Sequence, residues 1–286
     1  MSWIKGIKLL LNDFVYKAPR SLNEALKLIR EEDAKVLAGG HSLIPLMKLG
    51  FASPESLIDI GKLEELQAIE ETNGVLTVGS CVSYRALFES EMVKSYVPLL
   101  SKVASQVGDP QVRARGTVGG SLVHGDPASD IAGAILALDA TVELVSLNGK
   151  GDIVKRKVPA REFFVGFLET VIEDDEILHS ISFKNKCHKF SFQKITRREQ
   201  DWAIVGVAVA QSMHGIGIGL VNLASKPVYL DIKKYEDISE LDPEGVSLLL
   251  DSVIDPPADI YGDAEYRRHL AEVLLLRCLK EIKETT

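Results

Sequence analysis

Residues 108–130 of the chain read GDPQVRARGTVGGSLVHGDPASD. This segment holds five glycines and two prolines, and it interrupts the helical pattern of apolar residues that precedes it over Val97–Val107. An apolar run typical of a helix resumes over Ile131–Leu138. Because a long irregular segment inside a compact domain is usually functional or disordered, we expect residues 108–130 to contribute to a functional site.

Two glycine pairs favour a phosphate site. Gly119-Gly120 lies within residues 108–130, and Gly39-Gly40 follows a short apolar run that predicts a strand over Val36–Ala38. Adjacent glycines let the backbone approach a ligand closely, and their N–H groups can point the same way, which suits an anion. Two such loops on one domain could hold both phosphates of a dinucleotide. Taken singly, either pair could instead make only a tight turn. Four side-chain donors adjoin the pairs: His41, Ser42, Thr117 and Ser121.

The composition excludes several classes of protein. A chain of 286 residues predicts about two domains, and 46% hydrophobic with 26% charged residues is typical of a globular fold. The net charge of −8 disfavours binding to nucleic acid or to an anionic membrane. The longest basic run, Lys155–Lys157, is too short to change this expectation.

The cysteines and the apolar stretches indicate the compartment. Three widely separated cysteines favour a reducing environment and offer no ligand set for zinc or an iron–sulfur cluster. Uncharged apolar stretches such as Ala203–Ala210 fall far short of the ~20 residues that a membrane-spanning helix needs. The N-terminal residues lack the pattern of a secretory leader. We therefore expect a soluble cytoplasmic protein that binds no metal on this chain.

Local signals predict the order of elements in the first half. Ser21 and Glu24 form a capping box that begins a helix. Asn73-Gly74 and Asn148-Gly149 each lie between apolar runs and predict β-hairpins. A helical pattern over Tyr84–Val93 follows the first of them.

The pattern changes after the acidic residues 173–176. Consecutive strands are predicted, followed by two helices, and the strands cover Ile177–Phe183, Phe190–Ile195, Ala203–Ala210 and Ile216–Leu223. Because strands and helices do not alternate strictly, the sequence favours an α+β fold over a doubly wound sheet. The change of pattern predicts a boundary near residue 175, which gives domains 1–175 and 176–286.

Three further motifs are weaker indications of function. Gly215–Gly219 superficially resembles a dinucleotide fingerprint, but Leu220 replaces the third glycine, so we interpret it as a glycine-rich strand packed closely on a neighbour. Asp126 and Asp130 flank the start of an apolar helix, where they could cap the helix or bind a ribose hydroxyl. Lys194 lies in a stretch rich in charged residues. Such a stretch, taken by itself, is typical of a solvated surface.

The combination of these segments resembles the FAD-binding medium subunit of molybdenum hydroxylases, of the carbon monoxide dehydrogenase, aldehyde oxidoreductase and xanthine dehydrogenase family. The resemblance extends over nearly the whole chain in order and spacing. It rests on LAGGHSLIP at 37–45, DPQVRARGTVGG at 109–120, HGDPASD at 124–130, FQK at 192–194, DWA at 201–203 and GDAEYRR at 262–268.

The resemblance implies a fold and a binding site. Two subdomains of the vanillyl-alcohol-oxidase/PCMH type in residues 1–175 would clasp FAD, and a smaller α+β domain, residues 176–286, would cover the flavin. The two glycine loops would hold the pyrophosphate and adenosine portions, Ile44 would lie near the isoalloxazine, and Leu178 and Lys194 would reach the flavin ring region. The residues implied to bind FAD are Ala38, Gly39, Gly40, His41, Ser42, Ile44, Thr117, Gly119, Gly120, Ser121, His124, Ser129, Asp130, Leu178 and Lys194.

The resemblance also implies an electron-transfer role. In such complexes a large subunit with the molybdenum cofactor oxidises the substrate, and a small 2Fe–2S subunit relays electrons to the flavin, which passes them to an external acceptor. This chain would then be an oxidoreductase subunit that does not oxidise the organic substrate alone. Two alternatives are a self-sufficient FAD oxidase or dehydrogenase of the same broad fold and a non-redox nucleotide-binding module.

Overall fold

The computed structural model describes residues 13–31, 33–232 and 243–285, and the secondary structure is that of these residues. A small parallel sheet opens the fold, with strand order β1-β3-β2 and one helix in each connection. Its elements are β1 (Val15–Lys17), α1 (Leu22–Leu28), β2 (Ala34–Leu37), α2 (Leu43–Lys48) and β3 (Ser56–Asp59). Ser21 caps α1 as predicted, because its side chain accepts a hydrogen bond from Glu24 N.

A second, antiparallel sheet has the strand order β4-β5-β10-β6-β7. Its strands are β4 (Ile69–Thr72), β5 (Val75–Gly79), β6 (Thr141–Leu147), β7 (Ile153–Pro159) and β10 (Ile177–Phe183). Both predicted hairpins are present. Asn73 and Gly74 take φ values of 52° and 73°, which is the backbone that a two-residue hairpin turn requires.

Short helices and a small hairpin fill the region between β5 and β10. They are α3 (Tyr84–Glu89), α4 (Glu91–Tyr96), α5 (Pro98–Ser105), α6 (Pro110–Arg115), α7 (Val118–His124), α8 (Asp130–Ala137), α9 (Ala160–Phe163), β8 (Phe164–Gly166) and β9 (Glu169–Thr170). Two helices are thus found within residues 108–130, where the sequence predicted irregular backbone. Asp109 and Thr117 cap them by accepting hydrogen bonds from Val112 N and Gly120 N.

The C-terminal part is an antiparallel meander followed by two helices, and its first three strands and both helices agree with the sequence prediction. Its elements are β11 (Lys189–Ile195), β12 (Val205–Ser212), β13 (Gly215–Val221), β14 (Val228–Asp231), α10 (Pro243–Asp251) and α11 (Ala264–Glu284). The two faces of β12 have different partners. Val205, Val207 and Val209 pack with residues of α11, whereas Ala208 and Ala210 face the core of the first half.

Helix α8 joins the two halves of the molecule. A side chain on Gly219 would place a Cβ atom 2.0 Å from Gly133 O, and one on Gly217 would place it 2.1 Å from Ala137 O. The backbones of β13 and α8 are therefore in direct contact. This confirms the interpretation of the Gly215–Gly219 motif as a strand packed closely on a neighbour.

The position of β10 bears on the domain boundary. This strand pairs with β5 on one side and with β6 on the other, so it is central to the sheet of the first half. The sequence pattern grouped it instead with the strands of the second half. We propose a boundary after Phe183 in place of the one expected near residue 175, because a central strand cannot be separated from its sheet.

Candidate functional site

A cavity of about 390 Å³ lies where the loop from β2 to α2, helix α7, strand β10 and the loop before β12 meet. It brings together most of the residues that the sequence predicted for the site. The predicted residues that line it are Ala38, Gly39, Gly40, His41, Ser42, Thr117, Gly119, Gly120, Ser121, His124 and Leu178.

The loop from β2 to α2 presents backbone donors to this cavity. Gly40 has a φ of +76°, which glycine adopts without strain. The N–H groups of residues 39–42 donate to no acceptor within the described residues, and Ser42 forms no side-chain cap for α2. Such a run of unpaired donors is suited to bind an anion.

The two glycine loops touch each other. A Cβ atom on Gly39 would lie 2.2 Å from Arg115 O and 3.0 Å from the Cα atom of Gly116. Any side chain at position 39 would therefore push the loop before α7 away. The glycine is required by this close approach of two backbones, which places both loops on one cavity.

The second glycine pair differs from the first in its hydrogen bonding. Gly119 N donates to Ser80 O at 2.8 Å, and Gly120 N lies 3.2 Å from the side-chain oxygen of Thr117. A Cβ atom on Gly119 would lie 2.7 Å from the same Ser80 O. Gly119 thus allows α7 to pack on the end of β5. The surface that α7 offers to the cavity includes the exposed Gly120 together with Ser121, Val123 and His124.

A buried carboxylate lies in a smaller cavity of about 50 Å³ beside the first. Asp130 and Ser129 line this smaller cavity, which shares Tyr84, Ser121 and Trp202 with the larger one. Ser129 caps α8 by accepting from Ala132 N, so the capping role falls to this serine and leaves the side chain of Asp130 free for another partner.

Asp130 pairs with a lysine from the other half of the chain. Lys194 Nζ donates to Asp130 Oδ2 at 2.6 Å and to Gln106 O at 3.1 Å. Asp130 Oδ1 is buried and has no hydrogen-bond partner among the described residues. Burial raises the pKa of the Asp130 carboxyl above its usual value, and the charge of Lys194 opposes this effect. One oxygen of this carboxylate, beside the smaller cavity, thus has no hydrogen-bond donor among the described residues.

Two predicted residues lie outside the cavity wall. Ile44 packs beneath Gly40, where its Cγ1 atom would be 3.2 Å from a Cβ atom on that glycine. Lys194 reaches the site through its ion pair with Asp130. Both residues support neighbours that line a cavity, and neither one lines the larger cavity itself.

Sequence reasoning missed two aromatic residues of the site. Trp202 lines both cavities with 60% of its surface exposed, and Tyr84 lines both from a buried position. Burial raises the pKa of Tyr84 to about 12, although an interaction with Ser121 lowers it. The positions of both residues at the cavities are visible only in the fold.

Cys81 also contacts the cavity, and its environment is that of a structural thiol. Its Sγ atom donates to Ile60 O at 3.5 Å, and burial raises its pKa to about 12. A thiol that remains protonated at neutral pH is a poor nucleophile. Cys81 therefore contributes packing and a hydrogen bond to the cavity wall.

Across residues 13–31, 33–232 and 243–285, no three His, Cys, Asp or Glu side chains converge in a way that could hold a metal ion. In the same part of the chain, no helix has the length and apolar character needed to cross a membrane.

The chain is similar to known proteins in sequence and in fold. Residues 12–183 match the family model described as the FAD binding domain in molybdopterin dehydrogenase. The chain is 36% identical over 279 residues to the carbon monoxide dehydrogenase medium chain of Hydrogenophaga pseudoflava, covering 93% of this chain and 96% of that one. It is 33% identical to the glyceraldehyde dehydrogenase medium chain of Sulfolobus acidocaldarius, covering 94% of this chain and 98% of that one.

A solved structure gives the same result for the fold. Carbon monoxide dehydrogenase from Hydrogenophaga pseudoflava, in a form lacking the Mo-pyranopterin moiety, matches with a TM-score of 0.85 and 34% identity over 96% of this chain and 98% of that one. The family and the α+β fold implied by the sequence resemblance are thus confirmed. The chain belongs to the family of FAD-binding domains found in molybdopterin dehydrogenases.

Proposed function

We propose that this chain is the FAD-binding electron-transfer subunit of a heteromeric molybdenum hydroxylase. It takes electrons from an iron–sulfur subunit and passes them to an external acceptor. The observation that carries the proposal is the pair of unsatisfied polar features at one site: the donor row of residues 39–42 and the lone acceptor Asp130 Oδ1.

These features fit the chemistry of FAD. The diphosphate of FAD offers only acceptors and suits the backbone N–H groups of residues 39–42, with His41 and Ser42 as added donors. The ribityl chain and the flavin ring carry donors that can satisfy Asp130 Oδ1. Apolar side chains on the wall, including Leu37, suit the faces of flat rings.

The remaining predicted residues would complete the binding site. Gly39 keeps the two loops close together, Gly119 allows α7 to pack on the end of β5, and Ile44 supports Gly40 from below. Thr117, Gly120, Ser121, His124 and Leu178 supply surface around the cofactor. Lys194 holds the carboxylate of Asp130 in place, and Ser129 caps the helix that carries it.

FAD, when bound, exchanges electrons singly or in pairs. The residues of this chain bind and orient it and shield it from water. Asp130, held by Lys194, would accept a hydrogen bond from the cofactor, and the donor row would stabilise the charge of the diphosphate through hydrogen bonds.

The partners proposed are a large subunit with the molybdenum cofactor and a small 2Fe–2S subunit. Four of the relatives that match over more than nine-tenths of the chain are described as medium chains or medium subunits, which implies companions of other sizes. Their names differ in substrate, from carbon monoxide to glyceraldehyde and nicotine, so no substrate is assigned to this chain. The cytoplasmic location and the absence of metal on this chain stay predictions from the sequence.

Purification of the tagged chain from its native source tests the proposal. We expect companion chains that contain molybdenum and iron, with the flavin on this chain. On addition of substrate, flavin absorbance should bleach in the assembled complex and stay constant in the isolated flavin-loaded chain. Turnover of alcohols or aldehydes by the isolated chain would instead indicate a self-sufficient oxidase, and a chain that takes up no flavin would indicate a non-redox module.

A further inference from the structure

Asn222 follows the last residue of β13 and adopts the left-handed backbone conformation, with a φ of +60°. Asparagine tolerates this conformation better than most residues with a side chain. Its backbone N–H donates to Pro127 O at 2.8 Å. The end of β13 is thereby tied to the turn that leads into α8.

The side chain of Asn222 holds a second loop. Its Nδ2 atom donates to Ala203 O at 2.8 Å and to Ile204 O at 3.3 Å, which uses both of its N–H groups. Ile204 O also accepts from Arg267 Nη1 at 2.6 Å, and the Arg267 side chain is 1% exposed. The backbone just before β12 is therefore fixed by two side chains from different elements.

The two loops held by Asn222 carry residues on both sides of the smaller cavity. Asp130 follows Pro127 by three positions, and Trp202 directly precedes Ala203. Both Asp130 and Trp202 line the smaller cavity, and Trp202 lines the larger cavity as well. A glycine at position 222 could adopt the same backbone, but it would offer no side-chain donor to the second loop.

We propose that Asn222 is a positioning residue that fixes the loop of Trp202 against the turn of Asp130 and so sets the geometry of the open side of the cofactor cavity. The part of this proposal that concerns the cofactor rests on the proposed function. The fixing of the loop itself does not depend on it. Asn222 lines neither cavity, so it would act on the cofactor through its neighbours.

The test uses the full-length chain with Trp3→Phe, which leaves Trp202 as its single tryptophan. Asn222→Gly removes the two side-chain donors but retains the backbone conformation and the N–H to Pro127. Asn73→Gly is the matched control, since Asn73 has a φ of 52° in the exposed β4–β5 turn. Thermal unfolding checks that each variant folds.

The first readout is the time-resolved fluorescence anisotropy of Trp202 without FAD. In Asn222→Gly we expect the amplitude of nanosecond depolarisation to increase about twofold, with no change in Asn73→Gly. The second readout is FAD affinity, which we expect to weaken about tenfold in Asn222→Gly alone. Should the glycine variant fail to fold, Asn222→Asp keeps the shape but turns a carboxylate toward the two carbonyl oxygens, and the same two changes are expected.

The possible outcomes distinguish failure of the proposal about Asn222 from failure of the proposed function. Equal depolarisation of Trp202 in Asn222→Gly and Asn73→Gly would overturn the fixing of the loop. If Trp202 were more mobile in Asn222→Gly but this variant bound FAD as tightly as Asn73→Gly, the proposed role of Asn222 in setting the cavity geometry would be overturned. Failure of the parent chain to bind FAD would contradict the proposed function, while the anisotropy comparison would still decide whether Asn222 fixes the loop.

Discussion

Lys194 Nζ lies 2.6 Å from Asp130 Oδ2, and this ion pair joins strand β11 to the first turn of helix α8. The two side chains are each only 8% exposed. Burial of a charge is costly unless every polar atom finds a partner, yet Asp130 Oδ1 has none within the described residues. The pair is therefore incomplete, which is expected of a site that binds a further group.

Replacement of Asp130 by asparagine should weaken FAD binding about tenfold or more, because a charged acceptor for a cofactor donor is lost. Asp139→Asn is the control, since Asp139 is exposed in the turn after α8 with a φ of 47°, a conformation that asparagine tolerates. Fluorescence titration of each variant with FAD measures the effect. Equal affinities in the two variants would exclude a contact between Asp130 and the cofactor.

The affinity for FAD should also depend on pH through Asp130. The carboxylate is the form that accepts the hydrogen bond, and burial raises the pKa of this carboxyl above the ordinary value of 3.8. Lowering the pH through this raised pKa protonates the carboxylate, so binding should weaken before an ordinary aspartate would titrate. Titrations at a series of pH values should show this loss in the parent chain, and Asp130→Asn should lack that component. An identical pH dependence of FAD affinity in the parent chain and in Asp130→Asn would contradict this assignment to Asp130.

Gly40→Ala should reduce FAD affinity by distorting the donor row. The added methyl group meets Ile44 at 3.2 Å, and its backbone φ of +76° costs a residue with a side chain about 1 kcal/mol. Gly50→Ala is a matched control, because Gly50 has the same φ of +76° and faces open space. Both variants should lose similar stability to urea, but only Gly40→Ala should bind FAD more weakly. Equal FAD affinities in Gly40→Ala and Gly50→Ala would argue against a role of the loop that contains Gly40 in binding.

Gly219→Ala should destabilise the fold by about 3 kcal/mol or more, because overpacking against rigid backbone is not relieved by a change of rotamer. Its Cβ atom would lie 2.0 Å from Gly133 O, so α8 would have to move away from β13. Gly149→Ala, in an open turn with nothing within 4 Å, should change stability little. Urea unfolding of both variants measures the difference. A stable Gly219→Ala would show that α8 can shift on the sheet.

Much of the fold follows from local signals in the sequence. The Asn73-Gly74 turn, the cap at Ser21 and the apolar run Ala203–Ala210 each correspond to an observed element. Helices α6 and α7 were not predicted because six or seven residues are too few to show a helical period. Their capping residues, Asp109 and Thr117, were the available signal.

The site was predictable in its composition but not in its contacts. The glycine loops were identified from sequence, yet only the fold shows that one loop has free amides and the other has protein acceptors. Lys194 alone has the pattern of a surface charge, and its partner Asp130 lies 64 residues away. Long-range pairing of this kind leaves no periodic signal. The same holds for β10, whose two neighbours come from distant parts of the chain.

Equilibrium titration of the cofactor-free, full-length chain with FAD and, separately, with riboflavin tests the central claim most directly. The donor row of residues 39–42 requires the diphosphate, which riboflavin lacks. We predict saturation at one FAD per chain and an affinity for riboflavin weaker by at least about a hundredfold. Absence of saturation by FAD, or equal affinity for riboflavin, would contradict the assignment of this cavity as a dinucleotide site.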